Sequence, residues 1–178
     1  GHPIHPDSVK ARVIKDEIYE HLFHGQLFQV TNSMEVLTED QLLGIFRIPD
    51  GPQFSEVTPW KNKDLVTSPL QTELGFQVAG LYSLDRSDMM ALPSSLESIE
   101  YSSMMGTDEN AFAWVKFKGR EGNVFSYDID LIDTSGNVRF SYKGFSLKGL
   151  MASKTELNGD HSFPFEEIMS PKKDVRTF

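Results

Sequence analysis

The stretch Ser68-Pro69-Leu70-Gln71-Thr72-Glu73-Leu74-Gly75-Phe76-Gln77-Val78-Ala79-Gly80-Leu81 decides the architecture of this chain. It opens as a helix should: Ser is a favoured N-cap, Pro suits the first helical position, and Gln three residues after the cap fits a capping box. On a wheel at about 100° per residue, Leu70, Leu74, Val78 and Leu81 form an apolar stripe, while Phe76 and Ala79 fall across the axis. A helix apolar around so much of its circumference is buried rather than laid on a surface. The spacing predicts a buried helix over about 69–84.

Downstream, Leu96 to Ser103, Ala111 to Lys118, Val124 to Asp133 and Val138 to Leu147 are rich in Val, Ile, Phe and Tyr with partial alternation. Connections at 106–110, 119–123 and 134–137, each with Gly, predict four consecutive antiparallel strands. Upstream, Asp7 to Glu20 has a capping Asp and apolar Val9, Val13, Ile14 and Ile18, which predicts a short amphipathic helix. Gly25 then breaks the pattern before an extended stretch to about Leu37, and Gln41 to Pro49 reads as its neighbouring strand. Asp50 to Thr67 reads as a loop and Met151 to Phe178 as a loosely attached tail. The expected organisation is an N-terminal segment (1–20), one α+β domain (21–150) with an antiparallel sheet curled around its helix, and the tail (151–178).

Composition supports one globular domain. In 178 residues, 39% are hydrophobic and 24% charged, and no run is long enough to span a membrane. A net charge of −9 without a basic stripe argues against nucleic acid as a partner. The absence of cysteine removes disulfides, thiolate nucleophiles and Cys-ligated zinc. No apolar signal segment follows Gly1-His2-Pro3, so the cytoplasm is the expected location. The histidines lack partners at ligand spacing, and no metal site is expected.

Glu73 and Gln77 are the polar exceptions on the buried helix, and being four residues apart they share a face. A carboxyl bordered by Leu70 and Phe76 is costly when ionised, so its pKa should rise and it could act as a general acid. The alternative is an ordinary first-turn acid favoured by the helix dipole, with its side chain in water. The wheel alone leaves both open.

Four segments together extend the argument: Phe23-His24-Gly25-Gln26-Leu27-Phe28-Gln29, the helix Glu73 to Leu81, the strand start Leu92-Pro93-Ser94-Ser95-Leu96, and Tyr127-Asp128-Ile129-Asp130-Leu131-Ile132-Asp133 with Gly136. Over roughly 19–150 the chain resembles the C-terminal half of a polyketide synthase dehydratase domain. In that family two hotdog folds, each an antiparallel sheet wrapped on a long helix, lie side by side. They remove water from a 3-hydroxyacyl chain carried on the phosphopantetheine arm of acyl carrier protein, with no other cofactor.

The resemblance implies a role for each matching residue. The family's Asp-x-x-x-Gln motif falls on Glu73 and Gln77, so Glu73 would protonate the leaving 3-hydroxyl and Gln77 would orient the Glu73 carboxyl. The Tyr-Gly-Pro-x-Phe-Gln motif that lines the substrate tunnel becomes His24, Gly25, Gln26, Leu27, Phe28 and Gln29, with Gly25, Phe28 and Gln29 matching. His24, Gly25, Phe28, Gln29, Gln77 and Pro93 are thus the expected substrate-binding residues and Glu73 the catalytic one. The Phe23-His24-Gly25 variant is more similar to iterative and polyunsaturated-fatty-acid-type synthases.

Two departures shape the functional expectation. The family's catalytic base lies in His-x-x-x-Gly-x-x-x-x-Pro on the first hotdog, a pattern that does not occur here, so the chain is expected to hold half a site. Glu in place of Asp moves the carboxyl by roughly an Ångström, a displacement that can cost about 100-fold in rate. Three readings follow: a dehydratase half paired with a His-bearing hotdog, a non-catalytic hotdog that binds acyl thioesters or scaffolds a dimer, and a hotdog thioesterase. Acyl carrier protein and a second hotdog or a homodimer are the expected partners. Lys61 with Lys63, or Lys172 with Lys173, could meet an acidic carrier, or be ordinary solvated surface.

Overall fold

Ser68 caps the central helix as its sequence requires: its Oγ accepts the Gln71 N–H at 3.3 Å and its carbonyl receives the Thr72 N–H at 2.9 Å. The computed structural model describes residues 11–47, 65, 67–87, 89–103 and 110–150. In chain order these form β1 (Ala11–Ile14), α1 (Lys15–His21), a 3-10 turn (Gln26–Phe28), β2 (Thr31–Val36) and β3 (Gln41–Phe46). Then follow α2 (Pro69–Ser87), β4 (Met90–Ser95), β5 (Ser98–Tyr101), β6 (Ala111–Glu121), β7 (Val124–Asp133) and β8 (Val138–Leu150). The central helix α2 runs three residues past the predicted end at Leu84.

All strands join one antiparallel sheet in the order β1-β2-β3-β6-β7-β8-β4, with β5 also pairing β8. The sheet wraps α2, which touches strands from β2 through β8 and β4. This is a hotdog. Leu74, Val78, Ala79 and Leu81 are fully buried against Val115, Tyr127, Ile129 and Phe140 of the strands. Helix and sheet approach so closely that a Cβ on Gly44 would lie 2.6 Å from Val78 Cγ2, and one on Gly75 would lie 2.6 Å from Ile129 Cγ2. The absent side chains at these glycines let α2 sink between β3 and β7.

Two elements differ from expectation. The predicted helix from Asp7 to Glu20 is, over its described part, a strand followed by a shorter helix. The free edge of β2 outweighs the helical spacing: Val13 is fully buried, and Arg12 stands opposite Glu35 and pairs with it. Glu17 Oε2 then accepts the Ile14 N–H at 3.0 Å and closes the start of α1.

The second difference is in the meander. β6, β7 and β8 are consecutive hairpins as predicted, and Val124–Asp133 has its predicted bounds. The first predicted strand, 96–103, is shortened to β5, which pairs with β8 rather than β6. β3 already occupies the other edge of β6. The connection at 106–109, the loop at 50–64, the tail from Met151, both lysine pairs, and His2, His5 and His161 lie outside the described residues.

Candidate active site

The stripe that buries α2 turns Glu73 and Gln77 toward the segment between α1 and β2. Gln77 is 2% exposed, so its amide needs partners. Its Oε1 accepts the Tyr19 hydroxyl at 2.7 Å and the Thr31 hydroxyl at 2.7 Å. Its Nε2 donates to the Phe28 carbonyl at 2.7 Å and, more weakly, to Glu73 Oε1 at 3.4 Å. Two donors meet the oxygen and two acceptors meet the nitrogen, which uses the full capacity of the amide and assigns its orientation.

Tyr19 is held in turn by the Thr31 N–H, which donates to its hydroxyl oxygen at 2.8 Å. Burial pushes the Tyr19 hydroxyl up to about 12, helped by the nearby Glu73 charge and opposed by the Thr31 hydrogen bonds. It therefore keeps its proton at neutral pH and serves Gln77 as a donor.

The same segment brings His24 to the acid. His24 Nε2 stands 3.0 Å from Glu73 Oε1, and the two side chains keep 22% and 24% of their surface in solvent. The carboxylate is thus neither sealed in the core nor free in water: a reactant can reach it, and its contacts hold it in place. The His24 ring stacks on Phe23 at 5.4 Å, and its carbonyl accepts Gln29 Nε2 at 3.1 Å. Gly25 caps the 3-10 turn at φ −63°, with nothing within 4 Å of a Cβ placed there, so backbone strain does not demand glycine.

Glu73, Gln77, His24, Gln29 and the Phe28 main chain therefore form one connected group. Gly25 sits beside it at the turn. Pro93 lies elsewhere, exposed on β4 at the opposite end of the sheet order. Tyr19 and Thr31 are the members that sequence reasoning missed. They come from a short helix and a strand start, and no spacing rule ties them to Gln77, 58 and 46 residues away.

A family model described as the polyketide synthase dehydratase N-terminal domain matches residues 2–156. The chain belongs to the polyketide synthase dehydratase family. Among solved structures this family member is similar to a trans-AT polyketide synthase dehydratase domain from Brevibacillus brevis, at 24% identity and a TM-score of 0.66 over 80% of this chain and 50% of that one. It is also similar to the dehydratase domain of PpsC from Mycobacterium tuberculosis, at 14% identity and a TM-score of 0.65 over 84% and 56%. A third is the dehydratase domain from the CurJ module of curacin polyketide synthase, at 16% identity and a TM-score of 0.64 over 84% and 53%. These likenesses establish the hotdog fold. The chain spans about half the length of the solved dehydratase domains it matches.

Proposed function

We propose that this chain is the acid-bearing hotdog of a dehydratase, acting with a His-bearing partner hotdog on a 3-hydroxyacyl thioester. Glu73 protonates the leaving 3-hydroxyl as C3–O breaks, and the partner's His removes the C2 proton as the C2=C3 bond forms, releasing water. The observation that carries this reading is the Glu73 carboxyl, held by His24 and Gln77 on a buried helix yet partly open to solvent. Gln77, His24, Gly25, Phe28 and Gln29 are proposed to line the acyl path; Pro93, exposed on β4, lies apart from it. The phosphopantetheine arm of acyl carrier protein would deliver the chain, with no other cofactor.

The family description names an N-terminal domain. We place the chain in the C-terminal half because its long helix carries the acid pair and its sequence lacks the family's His motif. An iterative or polyunsaturated-fatty-acid-type synthase is the proposed parent assembly, and the cytoplasm its location. Among the described residues no helix is long and apolar enough to cross a membrane.

The sheet edge supports a paired arrangement. Among the described residues β4 and β5 have a strand partner only on the β8 side, and Leu92, Ile99 and Tyr101 along them are 42%, 48% and 63% exposed. An unpaired edge flanked by exposed apolar side chains suits a second hotdog, as partner domain or as a second copy.

The test is Glu73→Gln in the complete assembly, following loss of water from a carrier-bound 3-hydroxyacyl thioester by mass. Abolished dehydration is expected, and unchanged turnover removes Glu73 as the acid. Acyl-thioester binding with no enoyl product, even with the partner hotdog supplied, is the outcome that favours the non-catalytic reading.

A further inference from the structure

Two nitrogens converge on one oxygen of the acid: His24 Nε2 at 3.0 Å and Gln77 Nε2 at 3.4 Å, both from Glu73 Oε1. The His24 tautomer follows from its other nitrogen. Nδ1 is buried and has no hydrogen-bond partner among the described residues, so a proton there would be an unsatisfied buried donor. The imidazole proton is therefore assigned to Nε2, where it points at Glu73 Oε1.

We propose that His24 is a positioning residue for the acid: together with Gln77 it holds Glu73 by Oε1 and leaves Oε2 to carry the proton that goes to the leaving hydroxyl. This rests on the dehydratase reading and gives His24 a task beyond lining the acyl path. As the O–H bond of the carboxyl breaks, negative charge grows on both oxygens, and a donor already fixed on Oε1 stabilises that charge without reorganising. The proton passes from Glu73 to the departing oxygen, Glu73 is left as carboxylate, and His24 keeps its own proton throughout. The stack on Phe23 and the Gln29 amide on the His24 carbonyl fix the ring and its backbone for this purpose. The charged group that the ring meets on α2 is Glu73, and Tyr19 of α1 lies two hydrogen bonds further, through Gln77.

The interaction strengthens as the carboxylate forms, so its removal lowers kcat and leaves KM almost unchanged. In the full assembly with a His-bearing partner hotdog, the probe is a 3-hydroxyacyl N-acetylcysteamine thioester, turned over by wild type, His24→Phe, His24→Gln and Glu73→Gln. His24→Phe keeps a ring to stack on Phe23 but has no donor, and kcat is expected to fall about 10- to 100-fold with KM within about twofold. His24→Gln keeps an amide N–H that can reach Oε1 and is expected to restore most of that loss.

Wild-type kcat in His24→Phe, a loss confined to KM, or a His24→Gln as impaired as His24→Phe overturns the positioning role. If His24→Phe does not fold, His24→Leu serves as the donorless variant under the same criteria. A wild type without turnover, or Glu73→Gln at full turnover, sinks the dehydratase reading and this inference with it. A Glu73-dependent wild type with an unimpaired donorless variant sinks this inference alone.

Discussion

Tyr19 donates its hydroxyl proton to Gln77 Oε1 at 2.7 Å, joining α1 to the central helix across 58 residues of sequence. The same hydroxyl oxygen accepts the Thr31 N–H at 2.8 Å, so one phenol ties α1, β2 and α2 together beside the acid. The apolar contacts that hold α2 on its sheet are non-directional. A saturated amide cannot slide without breaking several bonds at once.

Tyr19→Phe therefore reaches further than the loss of one oxygen suggests. The Thr31 N–H loses its acceptor and Gln77 Oε1 one of its donors. Destabilisation by about 1–3 kcal/mol is expected in urea unfolding. The freed amide also loosens its hold on Glu73, so dehydration by the complete assembly should fall while acyl-thioester binding persists. A variant as stable as wild type would mean that water replaces the phenol without loss.

Glu73→Asp tests whether the longer acid is matched to this site. His24 and Gln77 meet the carboxyl where a glutamate places it, and Asp withdraws it by about one methylene. Turnover is expected to fall roughly 100-fold, as misplacement of a reacting group by about an Ångström does elsewhere. An Asp variant that matches or exceeds wild type in a single-turnover assay would show that the site still suits the shorter acid.

Gly75→Ala and Gly80→Ala form a matched pair on one helix. Alanine raises helix propensity by about 1 kcal/mol at either site. At position 75 the new Cβ would lie 2.6 Å from the buried Ile129, whereas nothing lies within 4 Å at position 80. Overpacking costs about 1–3 kcal/mol, so Gly75→Ala should lower the melting temperature and Gly80→Ala should raise it. Equal shifts would contradict the close approach of α2 to β7.

Acid stability should report on the turn between β7 and β8. Burial raises the Asp133 carboxyl, but hydrogen bonds from Asn137, Arg139 and the Ser135 N–H outweigh it and leave it below its ordinary value of 3.8. The folded state thus favours the ionised form. Asp133 contributes its full stabilisation at pH values above 3.8 and loses it as pH falls through its lower folded value. Asp133→Asn should be less stable than wild type at pH 6, and the difference should shrink toward pH 2 in denaturant unfolding. A gap that stays constant with pH would place the contribution in packing rather than in charge.

Local chemistry made much of this legible. The cap, the proline and the apolar stripe of α2 all act within a few residues, and the helix starts where they place it. The turn at 134–137 was readable because Asp133 Oδ1 accepts the Ser135 and Asn137 N–H groups, and Gly136 adopts φ +83°. The N-terminal segment was misread because Val13 and Ile14 suit a helix face and a strand alike. The choice fell to the open edge of β2, which local spacing does not contain. The partner of β5 was hidden for the same reason: pairing with β8 rather than β6 depends on where β3 already lies.

For the site, the acid and its orienting amide could be read from a four-residue spacing on a buried helix, because the helical repeat puts Glu73 and Gln77 on one face by geometry alone. Folding in three dimensions decided what surrounds them. Tyr19, His24, Phe28 and Thr31 meet the pair only because β1 and β2 carry their segment back over the start of α2. Backbone periodicity acts over a turn and can be seen in the letters. Satisfying a buried amide requires whatever donors the rest of the chain brings within 3 Å, and that is a property of the packed molecule.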